Sequence, residues 1–344
     1  TRPEIADKAI ADGIIDFWEM CRPLIADPYL PTKLNEGRPD DIVTCIADCN
    51  CLDSLLSELP VSCILNPRAG REEEPSLQSR PASKKRKVIV VGGGPAGMEA
   101  ASTAAGRGHQ VILYEQTDRL GGQLNPASVA PYKGDVRYLI DYLTTRISKS
   151  SVEVRLNTPA TAQSIEREQP DVVILATGSQ PVIPDIPGIN GENVVTAVDV
   201  LNDKQPVGKS AVIIGGGMVG CEVAEFLVQK GKKVTILEMQ KRIGQGINAI
   251  NRWRSIQRLN QAGVSIETMI QPEEITGSGV TANREGKSYS FPADTVVLAT
   301  GMAPARELLS ELEGKVPVHT IGDCLEPRQI GEAMEEGFRL GNSI

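Results

Sequence analysis

The sequence predicts an α/β fold built on two nucleotide-binding modules, and three observations carry that prediction. The chain falls on itself at an offset of 123 residues: Gly92, Gly94 and Gly97 land on Gly215, Gly217 and Gly220, Glu115 on Glu238, Arg119 on Arg242, and Asp171 on Asp294. Ala176-Thr177-Gly178 lands on Ala299-Thr300-Gly301, and Pro181 on Pro304. Each copy opens with a short apolar strand that runs into a glycine-rich turn. Beyond those turns, apolar strands alternate with helical segments, the pattern of parallel sheets covered on both faces. A repeat of this kind, outside any low-complexity tract, reads as one folding unit present twice.

The elements follow in order. Pro3–Asp12 has helical spacing, Ile14–Met20 reads as a strand, and Tyr29–Glu36 as a helix again. This is a piece of an alternating α/β fold, and a lone strand between two helices cannot cover its own edges. Residues 38–75 hold four cysteines and little periodicity, and residues 76–87 read as a linker. Val88–Val91 is then a strand, followed by a helix to about Arg107, a strand over Gln110–Glu115, a helix near 134–149, a short strand near 152–156 and a strand over Asp171–Ala176. The second copy repeats this from Ser210 to Ala299. A strand near Thr320–Ile321 leads through Gly322-Asp323 to a helix from about Gly331.

The glycines have separate physical tasks. Gly92 permits the tight strand-to-helix turn, Gly94 lets the backbone approach a pyrophosphate, and Gly97 lets helix and strand pack closely. The helix beginning at Pro95-Ala96 offers amides and a partial positive charge to phosphate. Glu115, 18 residues past Gly97, is placed to accept hydrogen bonds from ribose hydroxyls. Gly215, Gly217, Met218, Val219, Gly220 and Glu238 repeat every part. A carboxylate at the ribose disfavours a 2′-phosphate, so the expected nucleotide of the second copy is NADH. Lys241 and Arg242 follow closely and leave NADPH as the alternative, although Arg119 at the matching place in the first copy marks that basic position as structural.

Bulk properties exclude several classes. With 344 residues the chain divides into two or three domains, and its net charge of −8 argues against a nucleic-acid partner. The single basic run, Lys84-Lys85-Arg86-Lys87, abuts a strand and reads as a solvated edge. No apolar stretch approaches membrane-span length and no signal peptide opens the chain, so a cytoplasmic location is expected. Only two histidines occur, which leaves little material for histidine metal sites or Ser-His-Asp chemistry. Cys45, Cys49, Cys51 and Cys63 crowd into 19 positions, and clustered thiols in such a chain suit a metal better than disulfides. Cys221 and Cys324 are expected to be packing residues, and neither forms the C-x-x-C pair of a redox dithiol.

The two copies differ after the acid. Glu115-Gln116 leads to Arg119-Leu120-Gly121-Gly122-Gln123-Leu124, whereas Glu238 leads to Arg242-Ile243-Gly244-Gln245-Gly246. Only the first has Gly322-Asp323 to pair with. In two-dinucleotide flavoproteins, which this pattern resembles, such a Gly-Asp hydrogen-bonds the ribityl chain of the flavin. The first copy is therefore expected to bind FAD through Gly92, Gly94, Pro95, Ala96, Gly97, Glu115, Gln116, Arg119, Gly122, Gln123, Leu124, Ala176, Thr177, Gly178, Gly322 and Asp323. The second is left for NAD, with Gly301 added to its set.

Cys21-Arg22-Pro-Leu-Ile-Ala-Asp-Pro, the cysteine cluster, Asn66-Pro67, the Gly92–Gly97 turn, Leu120-Gly-Gly-Gln-Leu and Ile321-Gly-Asp-Cys occur in one order. In combination they resemble the C-terminal half of the NADH:flavin oxidoreductases related to 2,4-dienoyl-CoA reductase and trimethylamine dehydrogenase, over essentially the whole chain. That resemblance implies glutathione-reductase-type Rossmann-like domains, preceded by the last βα unit of a TIM barrel and a cysteine-rich cluster loop. It divides the chain into a barrel remnant (1–37), the cysteine loop and linker (38–87), an FAD domain (88–200 and 296–344) and an NAD(H) domain (201–295). It further implies a [4Fe–4S] cluster on Cys45, Cys49, Cys51 and Cys63. An FMN belongs to the barrel, with Cys21-Arg22 at its phosphate.

Two departures stand out. The family spacing C-x2-C-x2/3-C-x11/12-C becomes Cys45-x3-Cys49-x1-Cys51-x11-Cys63, with the middle cysteine displaced by one. Alternation at Cys49 and Cys51 in a loop still lets four thiolates converge, and structural zinc is the alternative occupant. An eight-stranded barrel needs about 250 residues, so only its last unit is in this chain. The substrate-facing acid and base are expected on a separate FMN-binding barrel polypeptide or an N-terminal extension, in an oligomeric complex acting on a small molecule. Electrons from NADH would then pass through FAD and the cluster towards an enoyl-type substrate. The rival expectation is a non-catalytic assembly subunit, its second site holding ADP or nothing and its cysteine loop zinc.

Overall fold

The computed structural model describes residues 2–344, which form two compact units. Unit one takes the chain up to Asn125, Asp135–Ser179 and Pro304–Ile344; unit two takes Pro126–Gly134 and Gln180–Ala303. Among the described residues no helix is long and apolar enough to cross a membrane.

Unit one is built on a five-stranded parallel sheet in the order Val318–Thr320, Val172–Leu175, Lys87–Val91, Gln110–Tyr114, Glu153–Arg155. Lys87–Val91 is central, and Val88, Ile89 and Val90 are fully buried, as a strand covered on both faces requires. Val91 stands level with Tyr114 and Leu175, so the glycine turn leaves from the carboxyl edge of the sheet. At the other end of the strand, the Lys87 N–H donates to the Asp171 carboxylate at 2.7 Å. One face is covered by helix Pro95–Gly106, against which the C-terminal helix Ile330–Ser343 lies. Small residues set how close those helices come: a Cβ on Gly337 would stand 2.5 Å from the Ala96 carbonyl, and one on Gly341 2.8 Å from that of Ala100.

Unit two repeats the plan. Its parallel sheet runs Val194–Thr196, Thr295–Leu298, Ser210–Ile214, Lys233–Glu238, Ser265–Thr268, with the glycine turn again after the central strand. Asp294, the counterpart of Asp171, accepts from the Ser210 N–H at 2.8 Å. A three-stranded antiparallel sheet, Gln271–Thr276, Gly279–Arg284 and Lys287–Pro292, is added to the repeat.

Three sequence expectations are corrected. Ile14–Met20 is irregular and pairs with nothing among the described residues; Ile14 is 72% and Phe17 79% exposed. A strand exists only through its ladder partners, and among the described residues no strand pairs with these. Residues 180–200 stand in unit two, because Val194–Thr196 adds an edge strand to the second sheet. The cysteine segment is not all loop: a helix covers Asn50–Leu56. A short helix, Arg22–Ala26, also precedes the expected one, which spans Leu30–Asn35.

His109, only 3% exposed, ties the end of the linker to unit one: its Nδ1 accepts from the Arg86 N–H at 3.1 Å. Burial, and the charges of Arg107 and Arg86, hold its pKa below the ordinary value. Protonation would remove the acceptor and place a third cation beside the two arginines. A base whose folded pKa is depressed binds fewer protons folded than unfolded. This contribution to stability is therefore complete above about pH 6.5 and is lost as the pH falls below it. Urea midpoints measured between about pH 8 and about pH 5 are expected to decline on the acid side, with His109→Gln flattening part of that decline.

Candidate functional site

Each glycine turn is shaped by contacts that leave no room for a side chain. Gly92 has φ +110°, and a Cβ there would stand 2.1 Å from the Ala176 carbonyl. A Cβ on Gly97 would stand 1.9 Å from the Gly92 carbonyl oxygen, so the helix touches the strand end directly. Gly94 is different, because a Cβ there would meet no atom within 4 Å. The protein does not fill the space before Gly94, and that is the place a pyrophosphate takes in such turns. Unit two copies this: Gly215 and Gly220 are closed by Ala299 and Gly215 carbonyls at 2.3 and 2.0 Å, while Gly217 meets only the Gln245 carbonyl at 3.9 Å.

The acids are fixed before any ligand arrives. Glu115 is 7% exposed; its Oε2 accepts from the Gly93 N–H, and its Oε1 from the Thr117 N–H and hydroxyl, each at 2.8 Å. Glu238 accepts from the Gly216 N–H at Oε2 and from the Gln240 N–H at Oε1, both at 2.7 Å. The chain then doubles back: the Gly121 N–H donates to the Gly93 carbonyl at 2.8 Å, and the Gly244 N–H to that of Gly216 at 2.6 Å. One detail escapes a motif reading. The first helical amide faces no phosphate in either module, since Pro95 has none and the Met218 N–H donates to the Gln245 carbonyl at 2.9 Å. Ala96 and Gly97, or Val219 and Gly220, are left as the helix-start donors.

Unit one alone adds a third element. Gly322, at φ +60°, passes so close to the glycine helix that a Cβ would stand 2.9 Å from that of Ala96. Its N–H donates to Glu336 at 2.7 Å. The Asp323 carboxylate accepts from the Ser179 hydroxyl at 2.9 Å and from the Arg328 N–H at 3.2 Å. Thr177 reaches the Ala305 carbonyl at 2.7 Å, and Gly178 follows at φ +75°. Gln116, Arg119, Gly122 and Gln123 lie at the exposed rim, whereas Leu124 is 2% exposed in the core. Met218 and Val219 are half-buried at the second helix start, and Gly301 sits at φ +99° beyond the strand end.

Cys45, Cys49, Cys51 and Cys63 surround one pocket, lined also by Arg22 and Asp48. Among the described residues no three His, Cys, Asp or Glu side chains stand close enough to share a single metal ion. One iron per thiolate, as in a cubane cluster, asks for a wider set than one zinc. Burial pushes the Cys63 thiol up to about 11 and raises that of Cys51, so a bound cation would have to displace their protons. Arg22 Nη1 lies 3.7 Å from Cys49 Sγ. Cys21, beside it, is exposed. Asp27, 2% exposed, holds the segment together by accepting from Lys33 Nζ at 2.6 Å and the Val43 N–H at 2.9 Å, and Asn66 Nδ2 donates to the Ile25 carbonyl at 2.9 Å. The isolated Cys221 and Cys324 are fully buried; burial pushes the Cys221 thiol up to about 12.

Residues 86–337 match the pyridine nucleotide-disulphide oxidoreductase family. The chain belongs to that family. It is the C-terminal FAD- and NAD-binding half found in a group of flavin oxidoreductases. The chain is 45% identical to an NADH oxidase of Thermoanaerobacter brockii, over 99% of its own length and 54% of the relative's. It is 36% identical to a cinnamate reductase of Clostridium sporogenes, over 99% of its length and 52% of the relative's. The solved structure of a 2-naphthoyl-CoA reductase in complex with 2-naphthoyl-CoA superposes on all of this chain and 53% of that one, with a TM-score of 0.97 and 40% identity. The chain thus spans about half the length of the relatives it matches.

Two alanine substitutions separate the roles of the glycines. Gly97→Ala is expected to destabilise unit one by about 2 kcal/mol or more through overpacking. Gly94→Ala is expected to leave the melting temperature of the flavin-free protein unchanged while weakening FAD binding at least about tenfold. Thermal melts and flavin titrations check the pair.

Proposed function

We propose that this chain is the electron-input half of a larger reductase. NADH binds at the glycine turn of unit two, and FAD at that of unit one. The observation that carries the assignment is the asymmetry between two otherwise matched sites. Both have a glycine turn and a backbone-fixed carboxylate, but only the first has Gly322-Asp323 against its helix start. The cofactors supply the chemistry, hydride acceptance by the flavin and single-electron transfer by a [4Fe–4S] cluster. The protein supplies position: Glu115 and Glu238 orient riboses, the helix starts hold pyrophosphates, and the Cys45–Cys63 loop gathers thiols beside Arg22.

The destination is an FMN held by a TIM-barrel polypeptide of which residues 1–37 form the last part. The exposed Ile14 and Phe17 are the surface such a barrel would cover. The relatives support a substrate class, since their names include a cinnamate reductase and a 2-naphthoyl-CoA reductase. An unsaturated acid or its CoA thioester is the substrate expected here.

In the purified chain loaded with FAD, NADH is expected to bleach the flavin, with about four irons and acid-labile sulfide per chain. Failure of both NADH and NADPH to bleach it would sink the assignment of unit two, and one zinc in place of iron would sink that of the cysteine loop. Glu238→Gln removes the charge that opposes a 2′-phosphate. It is expected to narrow the preference for NADH over NADPH by about tenfold in kcat/KM, measured in steady-state assays with each nucleotide.

A further inference from the structure

We propose that Asp48, not Cys49, supplies the fourth protein ligand of the cluster in the cysteine loop, beside Cys45, Cys51 and Cys63. The inference rests on the cluster reading above and changes which residues hold it. Asp48 lines the same pocket as the thiols. The helix that interrupts this segment begins at Asn50, with Cys49 as its N-cap in the left-handed region at φ 72°. Cys49 therefore stands outside the helix, half-buried at its N-cap, whereas Cys51 is buried in its first turn. Cys45, Asp48 and Cys51 recur at every third position. This is the family spacing with a carboxylate in the second place, so the displaced cysteine is an additional thiol rather than a shifted ligand.

The side chains agree. Asp48 Oδ2 accepts from the Asn50 N–H at 3.2 Å, which holds the carboxylate at the helix entry. The Cys49 thiol is already engaged, donating to the Ala47 carbonyl at 3.3 Å with Arg22 Nη1 at 3.7 Å. Asp48, Cys45, Cys51 and Cys63 line one pocket. A carboxylate is a harder ligand than a thiolate and suits a thiolate-rich iron less well. The iron it holds is the one most easily exchanged, with the Cys49 thiol one residue away.

The test compares the full chain with its Cys49→Ser, Asp48→Ala and Asp48→Cys variants, each loaded with FAD and reconstituted anaerobically. Normal FAD content reports folding. Cys49→Ser is expected to keep about four irons per chain and the EPR spectrum of the reduced wild type, while Asp48→Ala falls to about three. Asp48→Cys is expected to keep the full iron content with a shifted EPR spectrum. If Asp48→Ala does not fold, this variant decides, and an unchanged spectrum overturns the proposal. In the loaded wild type, Cys49 is expected to be the one loop thiol alkylated by iodoacetamide, read by peptide mass spectrometry. Loss of iron in Cys49→Ser together with full iron in Asp48→Ala overturns the proposal, as does protection of Cys49. A wild type without iron or sulfide overturns the cluster reading itself.

Discussion

A carboxylate at the end of one strand, hydrogen-bonded to the middle amide of the glycine turn on its neighbour, organises each half of this protein. Glu115 and Glu238 each accept from that amide and from a second amide just beyond themselves. The bond fixes the turn relative to the adjacent strand. That in turn sets the glycine helix, the gap before Gly94 or Gly217, and the loop that doubles back over the turn. A surface carboxylate would need a ligand to order it. Here the backbone orders it first, so little conformational entropy remains to be lost on binding.

Duplication gave two such frames, and the differences between them carry the functional reading. Position 122 in the first copy is glycine, and its counterpart, Gln245, uses its carbonyl to occupy the Met218 amide. The first copy reaches the same state by having Pro95, which lacks that amide. The architecture thus tolerates local rewiring as long as the glycine packing and the carboxylate are kept. What sets the first copy apart is the Gly322-Asp323 turn, seated against Ala96.

The features legible in the sequence were those with local steric causes. Gly92 and Gly97 are demanded by carbonyls a few residues away in space, and the apolar strands announce burial on both faces. Features that depend on partners were not legible. Ile14–Met20 has strand composition but no strand beside it. Val194–Thr196 is too short to show which sheet it joins. The left-handed backbone at Cys49 and the helix start at Asn50 have no signal in the cysteine spacing either. The Met218–Gln245 bond has no sequence signal, being a backbone contact between loops.

The close packing of Gly337 and Gly341 on Ala96 and Ala100 has a bearing on how the chain is made. The helix that completes the core of unit one leaves the ribosome after all of unit two, which lies wholly upstream of it. Domains fold as units during synthesis, so the second module can close while the first still lacks its covering helix. In order of assembly the protein therefore runs backwards: the module that begins first finishes last. Until residues 330–343 emerge, the apolar face of helix Pro95–Gly106 is left open to solvent, chaperones or flavin.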